Sequence, residues 1–179
     1  MALRVFAEQG FYVTSMSDIA EAAGVTKPVL YQHFASKREL YAHILSEVGN
    51  QLQEAITKAV ASADSPRAMV EDGFAAYFNF VDSHRDAFQI FYASGSWRDE
   101  EFSSLVHEVE NSLAETVAGL IEIDGLSDEQ RRLLGHGIVG MIEGASTHWL
   151  SSEASANPDD LTRQLADLAW RGLRGVRPD

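Results

Sequence analysis

The side chains able to carry covalent or metal chemistry are few and badly spaced for it. The six histidines, His33, His43, His84, His107, His136 and His148, show neither a His-x-x-x-His spacing nor a His–Glu spacing of the metal-binding kind. With no cysteine in the chain, disulfides, thiolate metal sites and a cysteine nucleophile are excluded. There is no Gly-rich phosphate loop and no Gly-x-Ser-x-Gly turn. Asp99-Glu100-Glu101 and Asp159-Asp160 stand at expected helix starts, where carboxylates favour the positive end of the helix dipole; this accounts for them without catalysis. No metal, no cofactor and no enzymatic reaction is expected. What remains is recognition chemistry, because Lys27, Tyr31, Gln32 and His33 put hydrogen-bond donors on the outer side of one short segment.

Helices must position that segment. Leu3, Phe6 and Ala7 give a short apolar face that ends at Gly10. Met16, Ile19, Ala20 and Ala23 give a second, stopped by Gly24, the residue preferred in the left-handed position after a helix. Thr26 is expected to cap a third helix, with Pro28 in its first turn, where the missing N–H costs nothing. Val25, Leu30 and Phe34 would form its apolar underside. Ser36 caps a fourth, whose buried stripe is read as Leu40, Ile44, Val48 and Leu52. Ser65-Pro66 opens a helix through about Asp82, and a shorter one follows near Arg85–Tyr92. Beyond a Gly95-Ser96 break, a long helix runs from about Asp99 to Ile123. Ser127 and Gln130 have capping-box spacing and start a helix to about Leu150; Asn157-Pro158 starts the last, ending near Gly172. About nine helices and no alternating strand make the chain all-α.

The first three have the proportions of a helix-turn-helix, with a tight small-residue turn at Ala22-Ala23-Gly24-Val25-Thr26. Such a unit projects the end of its last helix into the major groove, so that helix needs an apolar underside and a polar outer face. Here the outer face is Lys27, Val29, Tyr31, Gln32 and His33.

From Gly10-Phe11 through Thr14-Ser15-Met16-Ser17-Asp18-Ile19-Ala20 to Leu30-Tyr31-Gln32-His33-Phe34-Ala35-Ser36-Lys37-Arg38-Glu39-Leu40, without a gap, the sequence resembles the DNA-binding domain of the tetracycline-repressor (TetR) family. The resemblance implies a DNA-binding domain over residues 1–46 and an effector-binding and dimerisation domain of about six helices over 47–179. By position in the match, the hydroxyl of Thr14 or Ser15 would meet a phosphate at a helix N-terminus, a site that favours anions. Thr26, Lys27, Pro28 and Val29 would face base edges, Lys27 donating to guanine and Val29 touching a thymine methyl. Tyr31, His33 and Lys37 match positions that contact the DNA backbone, and Gln32 serves either role. In relatives the first helix is longer and follows a basic arm. Here it opens at Met1-Ala2-Leu3-Arg4, so the arm lies upstream of this sequence or is absent.

The second domain is rich in aromatics, which suits an apolar pocket between helices. Helical facing selects Phe74, Phe78, Phe88, Tyr92, Met141, Ala145, His148 and Trp149 as effector contacts, with Glu143 as polar anchor. Gly137, Gly140 and Gly144 recur in one helix, and since mid-helix Gly costs up to ~1 kcal/mol relative to Ala they suggest close helix approach. Leu161, Leu165, Leu168 and Gly172 form a matching stripe in the last helix. In relatives these two helices pair with their symmetry mates, so a homodimer and a roughly palindromic double-stranded operator are expected.

Charge bears on the same question. Lys+Arg is 14 against Asp+Glu 27, a formal net charge of −13, which by itself speaks against nucleic acid. Residues 1–48, however, hold 4 basic and 5 acidic side chains, so the excess acid lies beyond them. No apolar run approaches the ~18 residues of a membrane span and no basic, apolar leader opens the sequence, so a cytoplasmic protein without membrane contact is expected. The leading reading is a ligand-responsive transcriptional regulator, a repressor released from its operator by a small molecule. The rival is a helical interaction protein whose helix-turn-helix no longer reads DNA and docks a protein partner.

Overall fold

Capping residues set the ends of most helices. The computed structural model of the chain describes residues 1–92, 100–151 and 157–178, with the side chains of residues 89–92, 100 and 101 outside that description. Among the described residues there are nine helices and no strand: α1 (Ala2–Gln9), α2 (Met16–Ala23), α3 (Lys27–His33), α4 (Lys37–Ala61), α5 (Pro66–Ser83), α6 (Arg85–Tyr92), α7 (Glu100–Leu120), α8 (Asp128–Ser151) and α9 (Pro158–Gly175). The Ser15 hydroxyl accepts the Asp18 N–H at 3.2 Å while the Asp18 carboxylate accepts the Ser15 N–H at 2.8 Å, a reciprocal cap that starts α2. Gly24 ends it at φ 67, with the Gly24 N–H on Glu21 O and the Val25 N–H on Ala20 O, a Schellman arrangement that a β-carbon would strain. Ser36, Ser65, Ser127 and Asn157 likewise accept a backbone N–H three residues on. Thr26 departs from expectation: it stands at the N-cap of α3, but its side chain makes no capping hydrogen bond. Helix α7 stops at Leu120, short of Ile123, and α9 continues to Gly175, past Gly172.

The chain divides into two units, and the division differs from a cut at residue 46. The first unit joins Met1–Asn50 to His84–His107; the second joins Gln51–Ser83 to Glu108–Asp179. So α6 and the first turns of α7 belong with the helix-turn-helix. Four rings explain why. Phe102 of α7 lies 4.8 Å from Phe11 and 4.5 Å from Tyr41, centroid to centroid, and Phe6 stands edge-on to Tyr41 at 4.9 Å. Edge-to-face and tilted geometries of this kind add to the hydrophobic gain of burying rings of 150–250 Å² each. Phe6, Tyr41 and Phe102 are all but fully buried, and the Arg38 guanidinium lies 4.9 Å from the Phe102 ring centre. The α4 stripe needs correction: Leu40, Tyr41, Leu45, Val48 and Leu52 are buried, whereas Ile44 is half-exposed.

In the second unit α5 lies along α9, whose inward positions include the small buried residues Ala166 and Ala169. Helices α7 and α8 meet at Gly135, where an added β-carbon would overlap the Ala114 carbonyl oxygen and sit 3.2 Å from the Ala118 nitrogen. A polar link ties α4 to α7: Gln53 Nε2 donates to Thr116 Oγ1 at 3.3 Å and Ser112 Oγ donates to Gln53 Oε1 at 3.0 Å.

Candidate nucleic-acid interface and effector cavity

The sequence of α3 separates inside from outside at a single residue. Leu30 is buried, while Thr26, Lys27, Pro28, Val29, Tyr31, Gln32 and His33 are all exposed. Lys27 and Tyr31, four apart, share one side of the helix, so their donors point the same way. Phe34 supports the helix end half-buried, with its ring 5.4 Å from that of His43. Val25 does not join this underside: it is 39% exposed, because the Schellman turn spends it on the linker before α3 begins. Ser15 is exposed at the start of α2. Its hydroxyl, and then its backbone N–H, hold the Asp18 carboxyl below the usual carboxylate range.

Two expected phosphate contacts are placed elsewhere. Thr14 is only 1% exposed and its hydroxyl donates to Gly10 O at 2.8 Å, so its one proton is spent inside the turn between α1 and α2. Lys37 does not hold its ammonium out to solvent. Its Nζ donates to the Phe11 and Thr14 carbonyls, both at 2.6 Å, and to Tyr12 O at 3.4 Å, and it lies 4.5 Å from the Phe11 ring centre. Phe88 and Phe102, by contrast, lie far from the motif in sequence yet are both buried in the first unit.

Two family models match the chain. "Bacterial regulatory proteins, tetR family" covers residues 1–44, and "Tetracyclin repressor-like, C-terminal domain" covers residues 66–172. The chain belongs to the tetR family. The HTH-type transcriptional activator FasR of Mycolicibacterium smegmatis is 27% identical over 98% of this chain and 80% of its own. The HTH-type transcriptional repressor KstR2 of Rhodococcus jostii is 29% identical over 99% and 77%. A solved TetR-like regulator from Rhodococcus sp. RHA1 is 30% identical, covers 98% and 92% of the two chains, and superposes with a TM-score of 0.78. This tetR-family chain is a DNA-binding transcriptional regulator. Among the described residues no helix is long and apolar enough to cross a membrane.

The second unit of this tetR-family chain holds a cavity of about 340 Å³. Its walls come from α4 (Ile56, Val60), α5 (Phe74, Tyr77), α8 (Ile142) and α9 (Trp170), with residues of α7 and the segment after it. The lining is apolar except where Glu122 and Arg174, both exposed, reach it. Of the expected effector contacts, Phe74 alone lines this cavity. Phe78 and Trp149 are buried edge-to-face against each other, Phe88 belongs to the first unit, and His148 is exposed. Met141, Glu143 and Ala145 are half-buried outside the lining, and the Tyr92 side chain lies outside the described residues. The α8 face that meets the cavity carries Ile138 and Ile142, one turn apart and rotated from the expected row.

The glycine row of α8 faces outward. A β-carbon on Gly137, Gly140 or Gly144 would meet nothing within 4 Å, and Leu133, continuing the row, is 72% exposed. On α9, Leu168 and Gly172 are exposed, while Leu161 and Leu165 are half-buried.

Proposed function

We propose that this regulator is a repressor acting as a two-fold dimer, and that it reads a roughly palindromic operator through Ser15, Thr26, Lys27, Pro28, Val29, Tyr31, Gln32 and His33. The observation that carries the reading is the exposed donor face of α3 with Leu30 alone turned inward. Lys27 adds to it. Arg4, Arg67, Arg131, Arg132, Arg163 and Arg171 are each ion-paired with a neighbouring carboxylate, whereas Lys27 has no such partner among the described residues. An acidic protein can still bind a polyanion when an unpaired cation sits at the tip of the recognition helix.

The test uses a duplex selected from a random-sequence pool by the wild-type chain. Lys27→Ala should cost about 1–3 kcal/mol and relax the choice of base it reads, while Tyr31→Ala should weaken all sequences alike. Unchanged affinity in the double variant returns the chain to the protein-docking alternative.

The glycine row of α8 and the Leu168–Gly172 side of α9 are the faces we assign to the dimer, because apolar residues and bare backbone lie open there. In a monomer, Gly137→Ala and Gly140→Ala would each stabilise α8 by up to about 1 kcal/mol. A partner seated against those glycines reverses the sign, so sedimentation should show weaker association; a monomeric wild type with stabilised variants removes the dimer.

The apolar cavity is the effector site of this reading, and its lining favours an apolar small molecule. Occupancy would favour a spacing of the two recognition helices that no longer fits successive major grooves, and by linkage DNA would weaken the effector equally. An effector that releases the duplex must lose potency when Ile142→Trp fills the cavity; undiminished potency places it elsewhere.

A further inference from the structure

We propose that Lys37 is a positioning residue of the DNA-binding unit and not a phosphate ligand. Its ammonium is a built-in cation that closes the turn between α1 and α2 and so fixes where Ser15 and the start of α2 stand. The proposal rests on the DNA-binding reading given above.

The argument begins with where the turn's carbonyls find partners, since a buried backbone acceptor must find one. Gly10 O accepts both the Thr14 N–H, at 3.3 Å, and the Thr14 hydroxyl, at 2.8 Å. Ser15 O already belongs to α2, accepting the Ile19 N–H at 3.2 Å. Phe11 O, Tyr12 O and Thr14 O all turn to Lys37 Nζ, and the Phe11 and Thr14 bonds are partly buried. An ammonium has three protons and no acceptor, so three carbonyls use its donors in full. The Phe11 ring face at 4.5 Å supplies a fourth, electrostatic contact. A phosphate could reach this nitrogen only by displacing those carbonyls.

The bonds span 23 to 26 residues of sequence and tie the first residue of α4 to the turn that leads into α2. Ser15 follows Thr14 directly, so the clamp acts on the very peptide that presents the exposed N-cap of α2. Arginine cannot replace this lysine. Its planar fork carries the same charge but cannot converge three protons on three carbonyls around one atom.

The experiment measures affinity for the selected duplex across a range of salt, at a temperature where circular dichroism shows each protein fully helical. Lys37→Met and Lys37→Arg are both expected to bind about tenfold more weakly, with the slope of log affinity against log salt unchanged and a lowered thermal midpoint. Lys37→Gln replaces Lys37→Met if the latter does not reach native helicity. If Lys37→Arg binds like wild type and Lys37→Met lowers the salt slope by about one, Lys37 is a phosphate ligand and the proposal is overturned. Full affinity in both folded variants, with only the thermal midpoint lowered, overturns it too by leaving Lys37 a purely stabilising role. A wild-type chain that selects no duplex overturns the DNA-binding reading itself, and the proposal with it.

Discussion

Phe102→Ala is expected to abolish operator binding, although the residue lies far beyond the recognition helix in sequence. The ring is 1% exposed and touches Phe11 and Tyr41 at 4.8 and 4.5 Å, with the Arg38 guanidinium 4.9 Å from its centre. Truncating a buried Phe costs about 3–5 kcal/mol in lost transfer energy and residual cavity. Domain stabilities are about 5–15 kcal/mol, so this one change removes a large part of the first unit's margin. The damage also falls on Phe11, whose carbonyl receives Lys37 and whose turn leads to Ser15. Chemical denaturation followed by circular dichroism should show an early loss of helix, and binding to the selected duplex should fail at temperatures where wild type binds. Wild-type denaturation together with wild-type affinity would remove Phe102 from the core of the DNA-binding unit.

Gly135→Ala is the second large effect, and its sign opposes helix propensity. Replacing a mid-helix glycine with alanine ordinarily gains up to about 1 kcal/mol. At Gly135 the new methyl would overlap the Ala114 carbonyl oxygen and crowd the Ala118 nitrogen. Both neighbours are backbone and cannot rotate away, so α7 and α8 must part along their contact. Overpacking costs about 1–3 kcal/mol even where side chains yield, and here they cannot, so the net change is destabilising. Gly119→Ala is the matched control, since nothing lies within 4 Å of its added carbon. The thermal midpoint should fall for Gly135→Ala and rise for Gly119→Ala, by about 2–4 °C per kcal/mol in a chain of this size. A rise for both would mean that α7 and α8 do not approach closely at Gly135.

Local signals were legible in the sequence to the extent that their physics is local. Gly24, Ser127 with Gln130 and Asn157 with Pro158 each carry the start or end of a helix within a few residues, and the structure uses them so. The helix-turn-helix was readable for the same reason. What failed was partner choice. Helical spacing says that Phe88 and Phe102 face inward but not which core receives them. Gly137, Gly140 and Gly144 have the spacing expected of a tight crossing, yet the close approach within the chain is at Gly135, outside that pattern. The cavity borrows Trp170, Leu173 and Arg174 from the end of α9, a helix read only as a dimer element. Lys37 looked free because its carbonyl partners stand 23 to 26 residues earlier and carry no side-chain signature.

The discontinuous make-up of the DNA-binding unit has a consequence during synthesis. Residues 1–50 leave the ribosome before residues 84–107, which close their core. At about 5–20 residues per second, several seconds pass before Phe102 arrives to cover Phe11 and Tyr41. Through that interval the nascent chain offers an open aromatic face to chaperones and to neighbouring nascent chains. The competence to read DNA is therefore acquired only after the whole of α5 has been made.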